Sequence, residues 1–437
     1  MDPITVALIT VGGVFALILL GVHIGVALAL LSVLGIWAIT GKPFVAISLL
    51  GTTAYSAIMD YVFAVIPLFC LMGLLASASG ATRDLFNAAQ VAFGRVRGGI
   101  GIATVIANAI FAAITGVSVA SAAVFSKVAV PEMQRLNYDR KFSFGIVAGS
   151  AILGMLIPPS VLIIVYGVLT EQSIGRLFIA GIGPGLVVTA TLSLGIWLMV
   201  VVSPRLGGQM EKLPPLELRT ALKTALKPWG VVLLIVLVLG GMWGGFFTPT
   251  EAGAIGAAGA TLLMVIKRRF NRRNALDVLT EIGRTTASIF LLLIAAQMYS
   301  RMLTLSGLAT RLSEWAAALP VPPITIVIMF IVVFLLLGMI IDSVSILLLT
   351  IPIMYPVAIK LGYHPIWFGM VSIMAIEIGL LTPPFGMVVF AMKSSLGDAA
   401  TMEEIFTGSI PFMIMLLLAL AVIIAYPPLS TWLPSLM

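Results

Sequence analysis

Apolar residues occur along this chain in long runs that are separated by short polar segments. Four of these runs cover residues 4–21, 179–202, 231–247 and 410–426. A helix of about 20 apolar residues is long enough to span the hydrocarbon layer of a membrane. No soluble domain of useful size fits between successive runs. The pattern predicts an all-α polytopic membrane protein.

Composition agrees with a chain whose surface faces lipid. Of the 437 residues, 61% are hydrophobic and only 9% are charged, whereas a soluble domain carries about 25% charged residues. The net charge of +7 would suggest a nucleic-acid partner in a soluble protein. Here the cations lie in loops between apolar runs, so we interpret them as topology determinants and expect no nucleic acid.

An internal repeat divides the chain into two halves. Pro158-Pro159 is echoed by Pro383-Pro384 at a separation of 225 residues, and the same offset relates Ser118 to Ser343. Several matches in one register indicate two copies of one plan. We expect a first repeat over 1–203, a basic cytoplasmic linker over 204–228 and a second repeat over 229–437.

Each repeat is expected to contain a first group of spans, a hairpin group and a final span. The hairpin group consists of a helical hairpin that re-enters the membrane and a helix that a Pro-Pro pair breaks. In the first repeat these three parts cover 4–79, 99–170 and 176–203. In the second repeat the first group covers 229–305, with a short polar segment over 267–285 before a separate span over 286–305, and the other two parts cover 323–394 and 405–430.

The distribution of basic residues supports this topology. If each hairpin enters and leaves on one side, each repeat crosses five times and the second copy is inverted. With the N-terminus outside, only five of the 24 Lys and Arg residues fall outside, namely Lys42, Arg176, Arg301, Arg311 and Lys360. The positive-inside rule favours this arrangement. We therefore expect a multi-pass protein of the bacterial inner membrane whose two termini are periplasmic.

Inverted repeats with broken helices are typical of secondary transporters. Proline pairs leave main-chain carbonyls free, and interrupted helices present their dipole ends to a site, so cations and anions can both bind. We expect no enzyme activity, because the chain has no HExxH motif, no Cys/His cluster and no phosphate-binding GK[ST] loop. A channel remains an alternative, although two inverted copies favour alternating access.

The hairpin tips carry the candidate chemistry. Thr115 and Ser118 in the first tip, and Asp342 with its neighbours in the second, offer oxygen ligands for a hard cation. The hydroxyls could instead bond back onto their own helices. Asp342 and Glu377 are the deepest carboxylates, and a carboxylate in a membrane is a functional candidate unless it caps a helix. The side chain of Asn108 either forms hydrogen bonds with main-chain groups at a helix break or lines the site.

Three stretches carry a resemblance to a known family. They are Phe-Thr-Pro-Thr-Glu-Ala-Gly at 247–253, Leu-Ile-Pro-Pro-Ser at 156–160, and Glu-Ile-Gly-Leu-Leu-Thr-Pro-Pro at 377–384. Over nearly its whole length the chain resembles the large membrane subunit (DctM type) of tripartite ATP-independent periplasmic (TRAP) transporters. The first tip departs from the family, which often has Ser-Gly-Ser-Ser where this chain has Thr115-Gly116-Val117-Ser118.

The resemblance implies a sodium-driven importer of a small organic acid anion that works as an elevator. The first group of spans in each repeat, with the amphipathic arm, would form a fixed scaffold, and the two hairpin groups would move together as a transport domain. The anion could be a C4-dicarboxylate, sialic acid or another sugar acid. The expected partners are the lipid bilayer, a small four-helix membrane subunit (DctQ type) and a periplasmic substrate-binding protein (DctP type), with Na⁺ as coupling ion and no other cofactor. The runner-up is a stand-alone sodium/dicarboxylate carrier that needs no binding protein.

The same resemblance, together with the repeat, predicts the site residues. Two sodium sites would be formed by Thr115, Ser118, Gly154 and Ile157 in the first repeat and by Gly338, Asp342, Gly379 and Thr382 in the second. Substrate would lie between the tips, in contact with Asn108, Ser160, Phe385 and Glu377.

Overall fold

The computed structural model describes residues 2–59, 61–208 and 218–437. Across these ranges the secondary structure is helical, with only an isolated bridge between Tyr138 and Gly207 outside the helices. Eight helical stretches in the described ranges are long and apolar enough to cross a membrane: Tyr61–Ala78, Arg140–Thr170, Ile174–Val202, Ala221–Trp243, Pro249–Ile266, Asn274–Ser306, Ser343–Lys360 and Met402–Ala425. The expected all-α membrane architecture is therefore confirmed.

The first half contains eleven α-helices in its described part. They are α1 (Pro3–Leu19), α2 (Ile24–Thr40), α3 (Pro43–Met59), α4 (Val65–Ala78), α5 (Ala81–Phe93), α6 (Gly99–Thr115), α7 (Ser118–Arg135), α8 (Arg140–Ala151), α9 (Leu153–Leu156), α10 (Val161–Thr170) and α11 (Ile174–Val202). Two 3₁₀ turns, Tyr61–Ala64 and Pro204–Leu206, complete it. Residues 209–217 of the predicted linker lie outside the described residues.

The second half, described from residue 218 onward, contains twelve more α-helices. They are α12 (Leu218–Ala225), α13 (Trp229–Ile235), α14 (Gly241–Trp243), α15 (Pro249–Ile266), α16 (Arg272–Ser306), α17 (Leu308–Ala318), α18 (Pro323–Gly338), α19 (Ser343–Lys360), α20 (Pro365–Gly379), α21 (Met387–Leu396), α22 (Met402–Ala425) and α23 (Pro428–Thr431). A π-helical turn, Val236–Gly240, joins α13 to α14, and 3₁₀ turns cover Gly397–Ala399 and Leu433–Leu436.

Local signals in the sequence explain where many of these helices begin. The side chains of Thr248 and Glu251 form a capping box at the start of α15, and Thr401 and Glu404 form another at the start of α22. Each box satisfies N–H groups that have no partner within the helix. The exposed carboxyl of Glu251 accepts from the main-chain N–H and the hydroxyl of Thr248.

The helices pack as two groups. In one group α2, α3 and α4 contact α16, and α15 packs on α4. In the other, the pairs α6–α7 and α18–α19 pack against the broken helices α8–α10 and α20–α21. Nearly every residue of α8 and α20 is buried, whereas α1, α2 and α11 expose large apolar side chains. The second group thus forms the densely packed interior.

One stretch of the second half differs from our expectation. The sequence suggests a polar segment over 267–285 and a separate span over 286–305, but α16 is one continuous helix across most of this region. In the first half the corresponding segments are separate helices, α3 and α4. The reason is local: Pro67 lies in the first turn of α4, whereas α16 contains no proline and only one glycine, Gly283.

Candidate functional site

Both hairpins turn where the sequence places the tips. The α6 helix ends at Thr115, and Gly116 turns the chain with φ of +65°, a conformation that favours glycine. Ser118 is then the first residue of α7. In the second hairpin α18 ends at Gly338, and Asp342 caps α19 by accepting a hydrogen bond from the N–H of Ser345 over 3.1 Å.

The first tip lies directly on the first Pro-Pro break. The N–H of Val161 donates to the carbonyl of Gly116 over 3.3 Å. A Cβ on Gly116 would lie 2.5 Å from the carbonyl oxygen of Pro159, and a Cβ on Gly154 would lie 2.8 Å from the Cα of Ser118. Only glycine fits at positions 116 and 154, so the two backbones are in direct contact.

The second tip repeats this arrangement with different partners. The N–H of Phe385, which follows the second Pro-Pro pair, donates to the carbonyl of Met339 over 3.3 Å. A Cβ on Gly338 would lie 2.5 Å from the Cα of Gly379. Here too a glycine pair lets the hairpin and the broken helix touch, and both proline pairs contain a cis peptide bond.

Glu377 joins the two tips. Its Oε1 accepts a hydrogen bond from the hydroxyl of Ser343 over 2.7 Å, and its Oε2 accepts one from the hydroxyl of Ser118 over 2.5 Å. The glutamate is fully buried. A carboxylate that is shielded from solvent needs such hydrogen-bond donors, because burying an unpaired charge in an apolar interior costs much free energy. Both hairpins therefore bond to one side chain.

Two cavities lie between the tips and parts of the other helix group. One, of about 340 Å³, lies between α4, α16 and the first tip, where Thr115 and Val117 line it. The other, of about 350 Å³, lies between α16 and the second tip, where Asp342 and Val344 line it. Thr285 of α16 lines both cavities.

Two pairs of the predicted sodium ligands are in direct contact, one in each half. Gly154 meets Ser118, and Gly338 meets Gly379. The hydroxyls of Thr115 and Thr382 donate to carbonyls of their own helices, those of Phe111 and Ile378. Asp342 keeps its capping bond and lines a cavity, and Ile157 follows α9 directly, at the start of the break. Cation ligation by these residues stays a prediction.

The predicted substrate contacts are more dispersed. Asn108 is fully buried, and its Nδ2 donates to the hydroxyl of Ser150 over 3.0 Å. Ser160 is also buried and caps α10. Phe385, in contrast, is 53% exposed and stacks on Phe390. Together with buried Glu377 these residues do not line a common surface, and substrate contact by any of them stays a prediction.

Sequence reasoning missed three features of the site. Gly73 of α4 allows the scaffold to touch the first tip, since a Cβ there would lie 2.7 Å from the carbonyl oxygen of Ile114. Thr285 lies between the two cavities. Ser343 binds Glu377. The repeat offset already relates Ser343 to Ser118 and could have drawn attention to it, whereas nothing in the sequence distinguishes Gly73 or Thr285.

Comparisons with known proteins agree with this architecture. Over 380 residues the chain is 34% identical to the C4-dicarboxylate TRAP transporter large permease protein DctM of Pseudomonas aeruginosa, with 86% of each chain covered. It is 30% identical over 398 residues to the sialic acid TRAP transporter large permease protein SiaM of Vibrio cholerae, covering 91% of this chain and 90% of the other.

A solved structure shares the fold. The YdaH transporter of Alcanivorax borkumensis superimposes with a TM-score of 0.57 at 17% identity, covering 89% of this chain and 88% of that one. Residues 11–429 match the family described as the tripartite ATP-independent periplasmic transporter, DctM component. This chain therefore belongs to the DctM family, the large permease component of TRAP transporters.

Proposed function

We propose that this permease imports a small organic acid anion across the bacterial inner membrane, driven by sodium and by an elevator movement. A periplasmic binding protein would deliver the anion, and a small membrane subunit would complete the transporter. The observation that carries the proposal is the convergence of both hairpin tips on one buried carboxylate beside two cavities. Nothing in the site favours a stand-alone carrier or a channel over this function.

The donor atoms at the tips fit sodium. A hard monovalent cation prefers oxygen ligands, and the tips offer hydroxyls, main-chain carbonyls and the carboxylate of Asp342. Two further buried oxygens nearby, Oδ1 of Asn108 and Oγ of Ser345, have no hydrogen-bond partner among the described residues. In native proteins a buried polar atom of this kind usually binds water or an ion. The two predicted ligand sets would hold the ions, whose charge would favour an anion beside them.

The anion would bind in the space between the tips and α16. The two cavities have volumes typical of small-ligand sites. Arg284 and Ser288 of α16 face Asp342 across the second cavity, so a cation and hydroxyl donors are available on the scaffold side. Phe385 could cover the opposite side, because its N–H is bonded to the second tip. The substrates named for two relatives, a C4-dicarboxylate and sialic acid, are both organic acids.

The packing supports an elevator in which one helix group slides against the other. The two hairpins and the two broken helices are joined by the Glu377 bonds and by three close backbone contacts, which involve the glycines at positions 116, 154, 338 and 379. Their contacts with α4 and α16 include the two cavities and one close contact, at Gly73. A unit that is joined by several close contacts, and that meets the scaffold partly across open cavities, is suited to move as a rigid body.

The partners and the orientation rest on the family and on charge. A tripartite family description implies two further components, for which we propose the small DctQ-type subunit and the DctP-type binding protein. The exposed apolar faces of α1 and α2 would contact lipid or the small subunit. The positive-inside count supports an orientation with both termini in the periplasm.

Uptake into proteoliposomes tests the proposal. The permease and its small subunit would be reconstituted, and binding protein and a radiolabelled C4-dicarboxylate or sialic acid would be added outside, with and without an imposed sodium gradient. We expect accumulation only with an inward sodium gradient and with binding protein present. Accumulation without binding protein would support the stand-alone carrier, and gradient-independent equilibration at high rate would support a channel.

A further inference from the structure

The bonds of Glu377 cross between the two halves of the chain. Ser118 is 259 residues away from Glu377 in sequence, whereas Ser343 is 34 residues away. Each serine is the first residue of the helix that leads away from its tip, α7 or α19. The carboxylate therefore lies at the N-terminal ends of two helices, where a negative charge is favourable.

The corresponding position of the first half has no carboxylate, so the acceptor of this link is specific to the second half. At the offset of 225 residues the counterpart of Glu377 is Ile152. The carbonyl oxygen of Ile152 lies 3.4 Å from the hydroxyl of Ser118, farther than Oε2 of Glu377 at 2.5 Å. The first half therefore has no carboxylate at this position, and the single carboxylate of the second half accepts from the serines of both halves.

The contacts of Glu377 argue against a direct role in binding substrate. No part of the residue is exposed, and each of its oxygens already accepts a hydrogen bond of 2.7 Å or less. An anionic substrate would also be repelled by a carboxylate. The same contacts connect the two predicted cation sites, because Ser118 belongs to the first ligand set and Ser343 follows Asp342 of the second.

We propose that Glu377 is a positioning residue that fixes the two hairpin tips against each other and thereby couples cation binding at one tip to cation binding at the other. A cation at the first tip holds the Ser118 side chain in one position. The bonds of Glu377 to both serines then restrict Ser343 as well. The second cation then binds to a tip that is already ordered, which is positive cooperativity. The link between the tips stands on the geometry alone, and its effect on cations rests on the proposed function.

A distance measurement tests the link without sodium. Spin labels at Val119→Cys and Ile340→Cys, in a Cys70→Ala chain, report the separation of the tips in choline buffer. We expect a single narrow distance distribution for this background and a clearly broader one with Glu377→Met, which keeps the volume but accepts no hydrogen bond. Glu377→Gln should restore much of the narrow distribution, since an amide can still bond both serines.

Matched variants separate the link from general loss of packing. Ser143 is a buried serine on α8 whose hydroxyl donates to the carbonyl of Asp139, and Glu314 is an exposed carboxylate on α17. We expect Ser143→Ala and Glu314→Gln to leave the distribution unchanged. Equal widths for Glu377→Met and the background would overturn the proposed link.

A sodium titration of thermal stability then tests the coupling. We expect a Hill coefficient above one in the unmutated chain and a value close to one in Glu377→Met, with a roughly fivefold weaker apparent affinity. The double variant Ser118→Ala, Ser343→Ala should lose less sodium affinity than the product of the two single-variant losses, because both serines act through one carboxylate. A double-variant loss equal to that product would contradict the coupling. Absence of any sodium response in the unmutated chain would contradict the proposed function instead, and the distance measurement would still decide the link.

Discussion

The two hairpin tips share a plan but hold their second helices differently. In the second tip Asp342 caps α19 locally, by accepting from the N–H of Ser345. In the first tip Val117 precedes α7 and provides no side-chain cap. Instead Ser118 reaches the carboxylate of Glu377 in the other half. The first tip thus depends on a contact across the repeat, whereas the second tip carries its own cap as well.

The two halves differ most clearly in where their acidic groups lie. Glycine contacts and proline pairs occur in both halves and set the same backbone course. The acidic groups, Asp342 and Glu377, occur only in the second half, since their counterparts at the common offset are Val117 and Ile152. The second half therefore supplies the acidic groups for both tips, and each half supplies one of the two serines that bond to Glu377.

The largest expected effect comes from inserting a side-chain atom into the close backbone contact of the second tip. Gly338→Ala would place a Cβ 2.5 Å from the Cα of Gly379, and neither backbone can yield without separating α18 from α20. We expect a loss of about 3 kcal/mol or more in the free energy of unfolding. Gly12→Ala in α1, where a Cβ meets nothing within 4 Å, is the control. Similar thermal midpoints for the two variants would contradict the close contact.

A second prediction compares the two serines that bond to Glu377, one in each tip. Ser118→Ala leaves Oε2 of a buried carboxylate without its donor, which costs about 1–3 kcal/mol. Because α7 has no side-chain cap, we expect faster hydrogen exchange at the first tip than Ser343→Ala causes at the second. Exchange rates of residues 112–122 and 337–347, measured by mass spectrometry, check this. Equal increases in exchange rate at the two tips would contradict the predicted asymmetry.

The smallest expected effect is the loss of the local cap. Asp342→Asn keeps an acceptor for the N–H of Ser345, while Asp342→Ala removes it at a cost of about 1 kcal/mol. We expect Asp342→Ala to lower the thermal midpoint slightly and Asp342→Asn to lower it less, both in sodium-free buffer. In sodium, however, both variants should lose most of the sodium-dependent stabilisation, since the carboxylate charge is absent in each. An Asn variant with full sodium response would exclude Asp342 as a charged ligand.

The sequence revealed the broad plan because its signals are local or periodic. Apolar runs and the two proline pairs at one offset predict helices, tips and breaks directly. The continuity of α16 was missed because polar residues over 267–285 resemble a loop, although no strong helix breaker is present within the helix. The bond between Ser118 and Glu377 could not be predicted, because it depends on how two segments separated by 259 residues pack.

Thermal unfolding in sodium and in equimolar potassium tests the central claim, that the joined tips bind sodium, most directly. Sodium at a hundredfold excess over its dissociation constant should stabilise the purified protein by about 2.7 kcal/mol relative to a sodium-free sample. We predict a sodium-specific rise in the thermal midpoint that is strongly reduced by Ser118→Ala and by Asp342→Ala, and retained by Ser143→Ala. Identical unfolding curves in both salts would contradict sodium binding at the tips.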